Sequence, residues 1–169
     1  FMIVNEGHYV PMVAYGAGLR LNEICHLKVN DIDSERMTIR VEQGKGAKDR
    51  YTLLSPRLLA ELRGYWKAYR PARWLFPGRD PIHPVSDNTV QRIFEAAKVR
   101  AGIVKQCGIH GLRHAFATHL LEAGVDIHTI QRLMGHGHIS STLRYFHLAR
   151  KHLAGTPSPL ELLEATRPR

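Results

Sequence analysis

The chain has 169 residues, 44% of them hydrophobic, and a formal charge of +9. This length is enough for one compact domain with a hydrophobic core, and the composition is that of a soluble globular protein. No apolar run approaches the roughly 20 residues of a membrane span, and the first residues do not form a signal peptide. We therefore expect a cytoplasmic location and no membrane partner.

The positive charge favours an anionic partner, and a nucleic acid is the first candidate. Solvated lysines alone would give the same charge balance, so composition does not decide between these interpretations. Cys25 and Cys107 form no CxxC pattern, which suits a reducing compartment and argues against a disulfide scaffold or a cysteine zinc site. The chain begins at Phe1 rather than Met, which suggests a fragment that lacks an N-terminal domain.

Two helices separated by a Gly-Ala-Gly step are predicted first. Residues 9–16 are apolar and small, as at the end of a buried helix, and Asn22 is the predicted cap of the short helix that follows. Arg20 lies in the turn between them, and Glu23 is close enough in sequence to pair with it. The local sequence leaves open whether Arg20 makes a plain ion pair or points at a ligand.

A small antiparallel β-sheet is predicted next. Apolar and polar residues alternate over residues 37–41, residues 51–54 form a second strand, and residues 28–33 are a candidate third strand. The loop at residues 44–50 has two glycines and three cations, so that Lys45 could reach a phosphate. The same loop also fits an ordinary solvated turn, and its spacing is not that of a nucleotide-binding P-loop.

Two amphipathic helices follow, on either side of a proline-rich loop. Ser55 is predicted to cap the first, whose apolar and aromatic residues up to Tyr69 recur at helical spacing as in a core helix. Residues 71–85 form the loop, with residues 74–76 turned inward. Ser86 is predicted to cap the second helix, whose polar face could meet either DNA or water.

The segment from 110 to 145 contains most of the side chains that could bind a phosphate or take part in a reaction. His110, Arg113 and His114 lie at the start of a predicted helix and share a face, because residues at i, i+3 and i+4 are neighbours. Gly124 is predicted to end that helix. Backbone N–H groups at a helix start also favour a bound phosphate.

Two shorter helices complete the prediction. Asp126 opens the first and Gly135 ends it, so that His136 lies at a corner. A serine at 140 or 141 is the predicted cap of the last helix, which carries Tyr145. Beyond it, a Gly/Pro hinge precedes a short amphipathic segment at residues 160–163.

These residue types fit phosphoryl transfer, which needs donors on the phosphate oxygens, a nucleophile in line and an acid for the leaving oxygen. Arginine presents a planar fork to phosphate, histidine moves protons, and a tyrosine hydroxyl can attack. The candidate catalytic residues are Arg20, Lys45, His110, Arg113, His136 and Tyr145. This set implies neither a metal nor another cofactor, because its cations are side chains.

Plainer interpretations of the same residues stay open at this point. A tyrosine such as Tyr145 is more often a half-buried packing residue than a nucleophile. His110 and His114 could hold a metal, although the HExxH pattern is absent because Gly111 follows the first histidine. A metal-dependent nuclease would also need a carboxylate cluster, and the sequence offers none here.

Several motifs, in their order along the chain, then resemble the catalytic domain of the tyrosine recombinases, the phage-integrase and Xer-like group. They are GAGLRLNEICHLKVNDID, GKGAKDR, HGLRHAFATHLLEAG and IQRLMGHGHISSTLRY, with their order as the fifth feature, and the likeness runs from about Tyr15 to His147. The resemblance implies an α+β fold, mainly α-helical with a small antiparallel β-sheet. It also implies a catalytic domain over residues 1–153, without the family's N-terminal DNA-clamping domain, and a tail at 154–169 that can be exchanged between protomers.

The resemblance implies a role for each candidate. Arg20 and Arg113 would be the two catalytic arginines, Lys45 the hairpin general acid, and His110 the histidine that assists proton transfer. His136 would fill a position that is His or Trp in the family, and Tyr145 would form a 3′-phosphotyrosyl bond with double-stranded DNA. The family's usual serine after the first arginine is here Asn22.

The resemblance further implies a site-specific recombinase that acts with other protomers, as a tetramer on DNA and a monomer without it. Two alternatives remain. One is a type IB topoisomerase, which shares the chemistry but relaxes DNA, and the other is a non-catalytic DNA-binding module.

Overall fold

The computed structural model of the chain describes residues 3–42, 49–143 and 145. The predicted general acid Lys45 and the predicted exchangeable tail at 154–169 lie outside the described residues. The helices are α1 (Ile3–Ala17), α2 (Leu21–Cys25), α3 (Pro56–Tyr69), α4 (Asp87–Arg100), α5 (His110–Glu122), α6 (Ile127–Met134) and α7 (Ser140–Leu143). The strands are β1 (Ile32–Asp33), β2 (Thr38–Val41) and β3 (Arg50–Leu53).

The three strands form an antiparallel sheet in the order β1-β2-β3, which confirms the predicted α+β class. Ile39 and Val41 of β2 are buried, as their alternation predicts. The predicted third strand at 28–33 is largely wrong, because Val29–Asp31 is a 3₁₀ turn and the strand begins at Ile32. The carboxylate of Asp31 accepts the Lys28 backbone N–H at 2.9 Å and thereby stabilises the turn.

Most predicted helix ends are confirmed by their hydrogen bonds. Ser55, Ser86 and Asp126 accept the backbone N–H three residues later, at 3.1, 3.3 and 2.9 Å respectively. Gly124 and Gly135 follow their helices with φ of +85° and +62°, a region that glycine enters without a steric cost.

Two predicted caps are wrong. Arg20, not Asn22, is the N-cap of α2, because the Glu23 carboxylate accepts the Arg20 backbone N–H at 2.7 Å. The helix α7 already includes Ser140, so neither serine precedes it, and Tyr145 lies in the turn after the helix rather than within it.

The core has two parts. The larger packs α1 against α3, α4 and the sheet, and its buried residues include Val13, Ile39 and Phe76. The smaller lies between α5, α6 and the turn after α7, and contains Phe116, Ala117, Leu121, Ile130, Met134 and Tyr145. The smaller core therefore holds together the segment from 110 to 145, which contains four of the six candidate catalytic residues.

The proline-rich loop and the aromatic helix largely follow the prediction. Residues 74–76 are buried as expected, whereas Trp66 of α3 is 40% exposed instead of lying in the core. The guanidinium of Arg70 covers the Trp66 ring at 4.1 Å, and this contact explains how the indole is tolerated at the surface. Among the helices that the structure describes, none is long and apolar enough to cross a membrane.

Candidate active site

The carboxylate of Glu23 of α2, whose side chain is 11% exposed, lies at the centre of three arginines. Arg50 binds it through two nitrogens at 2.6 and 2.8 Å, Arg20 donates at 2.9 Å, and a nitrogen of Arg113 lies 3.6 Å away. Three guanidinium groups against one carboxylate leave two positive charges in this cluster. Such an excess of fixed cationic donors is suited to an oxyanion such as a phosphate.

The charges in this cluster shift one another's proton affinity. Burial alone would raise the pKa of Glu23, but the hydrogen bond and charge of Arg50, the Arg20 backbone N–H and the charge of Arg113 lower it to about 2. Burial and the neighbouring charge of Arg20 lower the pKa of Arg113 to about 10, against the opposing pull of Glu23. At neutral pH the carboxylate is therefore ionised, and Arg113 keeps its charge.

The same three arginines bind the C-terminal end of α6. The last carbonyls of a helix have no partner inside the helix and carry its partial negative charge. Each of three successive carbonyls accepts one guanidinium N–H, namely Leu133 from Arg50 at 3.0 Å, Met134 from Arg113, and Gly135 from Arg20 at 3.1 Å. The position of α6 and the positions of the arginines are thus fixed by one another.

Arg113 is the most enclosed of the three, with a side chain that is 1% exposed. It also donates to the Gly18 carbonyl at 2.6 Å, which ties α5 to the end of α1. Gly18 has φ of +63°, and a Cβ atom there would lie 2.4 Å from Cδ1 of Phe116. The glycine that the sequence marks as a helix break is therefore needed both for its backbone angle and for the close approach of α5.

Tyr145 is buried next to this cluster, with an exposure of 3%. Its hydroxyl lies 3.0 Å from Nδ1 of His114, and the ring of His136 stacks on its ring at a centroid distance of 6.3 Å. Nδ1 of His136 is in turn 2.9 Å from the hydroxyl of Thr142. An ionised Tyr145 would raise the pKa of Arg113, so the phenol lies within electrostatic reach of that guanidinium.

The structure thus brings five of the six predicted residues into one region. Arg20 and Arg113 meet at Glu23. The ring of His110 lies 4.6 Å from that of His114, the residue that contacts the Tyr145 hydroxyl. Arg20 does form the predicted ion pair with Glu23. Because this pair belongs to a larger cationic cluster, the contacts are compatible both with a purely structural role for Arg20 and with a role in binding a ligand. Within the described parts of the chain, no group of three or more His, Cys, Asp or Glu could hold a metal ion.

Sequence reasoning missed two members of this site. Arg50 was counted among the cations of a surface loop, but it begins β3 and its side chain is 7% exposed. The sequence offered no signal for this, because alternation over residues 50–53 would turn the apolar Tyr51 and Leu53 inward, whereas Arg50 and Thr52 are the buried pair. The contact between His114 and the Tyr145 hydroxyl had no local signal, because the two residues are 31 positions apart.

The comparisons with known proteins identify the family of this chain. Residues 8–152 match the phage integrase family. The putative integrase/recombinase y4qK of Sinorhizobium fredii is 48% identical over 95% of this chain and 52% of its own length. Tyrosine recombinase XerA of Pyrococcus furiosus is 38% identical over 92% of this chain and 54% of its own length. The chain therefore spans about half the length of these curated relatives.

Solved structures agree on the fold. The crystal structure of XerA recombinase superposes with a TM-score of 0.75 at 28% identity, covering 98% of this chain and 64% of that one. The XerH site-specific recombinase bound to its difH substrate in a pre-cleavage complex gives 0.74 at 25% identity, covering 89% and 45%. The fold is that of a tyrosine recombinase catalytic domain. The chain belongs to the phage integrase family.

Proposed function

We propose that this chain is the catalytic domain of a site-specific DNA recombinase that cleaves and rejoins double-stranded DNA through a 3′-phosphotyrosyl intermediate. The observation that carries the proposal is Tyr145, held between two histidines and within electrostatic reach of a cluster with two excess positive charges. The names of the relatives, which are integrases and recombinases, support the same activity.

The proposed reaction keeps the number of phosphodiester bonds constant. The Oη atom of Tyr145 gives up its proton with the assistance of His110 and attacks the scissile phosphorus. The bond from phosphorus to the 5′ oxygen breaks, and that oxygen leaves as a hydroxyl after taking a proton from the general acid. A 5′ hydroxyl from another strand then attacks the phosphotyrosine and releases the enzyme. The bond energy is retained, so the reaction needs neither ATP nor a metal or other cofactor.

The proposed roles follow from charge and reach. Arg20, whose side chain is 39% exposed, is the first guanidinium that an incoming phosphate meets, and Arg113 stabilises the charge that develops behind it. His110 assists the proton transfer, and His136 supports the tyrosine ring and donates to the phosphate. Lys45 protonates the leaving oxygen, a role that rests on the family pattern alone.

The proposal extends to the assembly and its setting. Residues 1–153 make the catalytic domain, and the tail at 154–169 is exchanged between protomers when a tetramer forms on DNA, whereas the DNA-free protein is a monomer. The protein acts in the cytoplasm, where its DNA substrate is found. Sedimentation of the protein with and without a bound duplex measures the change in stoichiometry.

Covalent trapping tests the activity directly. The protein is incubated in chelator with a random-sequence pool of nicked duplexes, so that the 5′ fragment diffuses away after cleavage and the adduct accumulates. Denatured protein–DNA adducts are then isolated and sequenced. We expect adducts from the natural chain and from Tyr69→Phe, a half-buried tyrosine of α3 that serves as the matched control, but none from Tyr145→Phe.

The outcomes also separate the alternatives. Adducts that persist in Tyr145→Phe, or that never form, contradict the proposal, and in the second case a non-catalytic DNA-binding module explains the fold. Relaxation of a single supercoiled circle without exchange between two target sites would instead indicate a type IB topoisomerase activity. Cleavage that leaves no adduct and occurs in Mg²⁺ but not in chelator would indicate a metal-dependent nuclease.

A further inference from the structure

His114 makes the hydrogen bond to the Tyr145 hydroxyl, although it is not among the residues that the family pattern assigns to catalysis. Nδ1 of His114 and Oη of Tyr145 are 3.0 Å apart, a normal distance for a hydrogen bond to a hydroxyl. The two residues come from α5 and from the turn after α7. This contact therefore joins two segments at the very atom that the proposed function makes the nucleophile.

The position of His114 is fixed by its neighbours on α5. Arg113, the preceding residue, is held by the carbonyls of Gly18 and Met134 and is almost fully buried. His110, one helical turn earlier, packs edge-on against the His114 ring at a centroid distance of 4.6 Å and an angle of 87°. The imidazole consequently has little freedom to rotate away from the tyrosine.

Tyr145 is restrained from its other side as well. The His136 ring lies nearly parallel to the phenol, at an angle of 10°, and the Tyr145 backbone N–H donates to the Thr142 carbonyl at 3.0 Å. Stacking and the backbone bond fix the plane of the ring, but neither sets the direction of the O–H bond. A hydrogen bond from the hydroxyl to Nδ1 of His114 would give the O–H bond its direction.

We propose that His114 is a positioning residue for the nucleophile: its Nδ1 accepts the hydrogen bond of the Tyr145 hydroxyl and turns the Oη lone pairs toward the phosphate site. This inference rests on the proposed function. The neutral imidazole then carries its own proton on Nε2, because Nδ1 must offer a lone pair. The bond orients the hydroxyl before attack, and no change in the charge of His114 is required.

The expected cost of losing this bond follows from the geometry. Attack requires the reacting atoms to be aligned, and a small misplacement of one of them costs about 10- to 100-fold in rate. His114→Ala should therefore slow adduct formation by about that factor, with DNA affinity unchanged. His114→Asn should recover most of the rate, because the Asn amide oxygen is the same number of bonds from Cβ as Nδ1 is. His114→Gln places its polar atoms one bond further out and should not recover it.

The chain supplies a matched control on the same helix. Nδ1 of His119 lies 2.7 Å from the hydroxyl of Tyr15, so His119→Ala also removes a histidine–tyrosine bond from α5. We expect this variant to form adducts at the natural rate. Thermal unfolding midpoints of all four variants show whether each is folded.

The kinetic experiment uses nicked duplexes of the trapped target sequence with sulfur in place of the bridging 5′ oxygen. A thiolate leaves without protonation, so the rate reports on attack by Tyr145 rather than on the general acid. A slow His114→Ala and a largely restored His114→Asn would support the proposal. A His114→Ala rate at or above that of the natural chain, or a His114→Asn that is as slow as His114→Ala, would overturn it.

A measurement without DNA separates this inference from the proposed function. The ¹⁵N resonance of His114 Nδ1 should be that of an unprotonated, hydrogen-bonded nitrogen and should move when Tyr145→Phe removes the hydroxyl. An unmoved or protonated Nδ1 would refute the role of His114 even if the natural chain forms adducts. Failure of the natural chain to form any adduct would refute the proposed function, and the role of His114 with it.

Discussion

Replacing Glu23 by glutamine should destabilise the fold by several kcal/mol, although the two side chains have nearly the same shape. The glutamine would keep an accepting oxygen but not the charge that faces Arg20, Arg50 and Arg113. The side chains of Arg50 and Arg113 are 7% and 1% exposed, so water cannot replace the lost carboxylate. Removing one partner of a buried ion pair costs about 3–5 kcal/mol.

The pKa of the carboxyl gives a second route to the magnitude. The pKa of Glu23 falls from an ordinary value of 4.5 to about 2 in the folded protein. At about 1.4 kcal/mol per pH unit, this difference corresponds to about 3 kcal/mol of stabilisation. Burial lowers the pKa of Arg113 to about 10, so the cluster as a whole is stabilised by less than this figure.

The sign of the pH dependence follows directly. Because the folded pKa of Glu23 is depressed, its contribution is fully present above pH 4.5 and is lost as the pH falls toward 2. The free energy of unfolding, measured in urea between pH 7 and pH 3, should therefore differ most between the natural chain and Glu23→Gln at pH 7. The two should converge as the solution is acidified.

An exposed carboxylate provides the control. Glu95 pairs with Lys98 at 3.0 Å on the surface of α4, with a side chain that is 56% exposed, so Glu95→Gln should cost less than about 1 kcal/mol. If Glu23→Gln cost no more than Glu95→Gln at pH 7, the argument for a buried charge cluster would be wrong. A difference that stayed constant down to pH 3 would contradict the assigned pKa.

Three further predictions concern the surroundings of the site. Gly18→Ala should destabilise the protein by about 1–3 kcal/mol in urea unfolding, because its φ of +63° and the Phe116 ring 2.4 Å from a Cβ both oppose a side chain; an unchanged midpoint would refute this. Arg50→Lys should cost about 1–3 kcal/mol because lysine cannot form two parallel bonds to a carboxylate, and a loss equal to that of an exposed arginine would contradict it. Burial raises the pKa of the Cys25 thiol to about 12, so at pH 8 a thiol reagent should label half-buried Cys107 much faster, which mass spectrometry of the labelled peptides can check.

Local sequence patterns predicted the ends of helices correctly where a single residue determines the end. Ser55, Ser86 and Asp126 are caps because a short side-chain oxygen reaches a backbone N–H three residues away, and that reach depends on nothing distant. Gly135 ends α6 for an equally local reason, its positive φ. The predicted cap at Asn22 is wrong because the helix begins earlier, where the Glu23 carboxylate accepts the backbone N–H of Arg20 from within the first turn.

The sequence predicts which residue types form the candidate site, but it does not predict most of the contacts between them. Arg20 and Glu23 are three positions apart, so their pairing was foreseeable. Arg50 reaches Glu23 across 27 positions and His114 reaches Tyr145 across 31, so both contacts depend on how the helices and the sheet pack. Sequence spacing carries no information on such distances unless a family pattern supplies it.

The binding of three arginines to consecutive carbonyls of α6 has a consequence for how the site assembles. An isolated helix of eight residues is unstable in water, so α6 depends on its partners to form. Those partners come from before α2, from β3 and from α5, and each contributes a single guanidinium. Opening of α6 would remove one hydrogen bond from each of the three at once and leave them with Glu23 and the Gly18 carbonyl as partners. Amide hydrogen exchange in α6 should therefore increase together with the mobility of the three arginine side chains, so that one local opening is felt in three other segments of the fold.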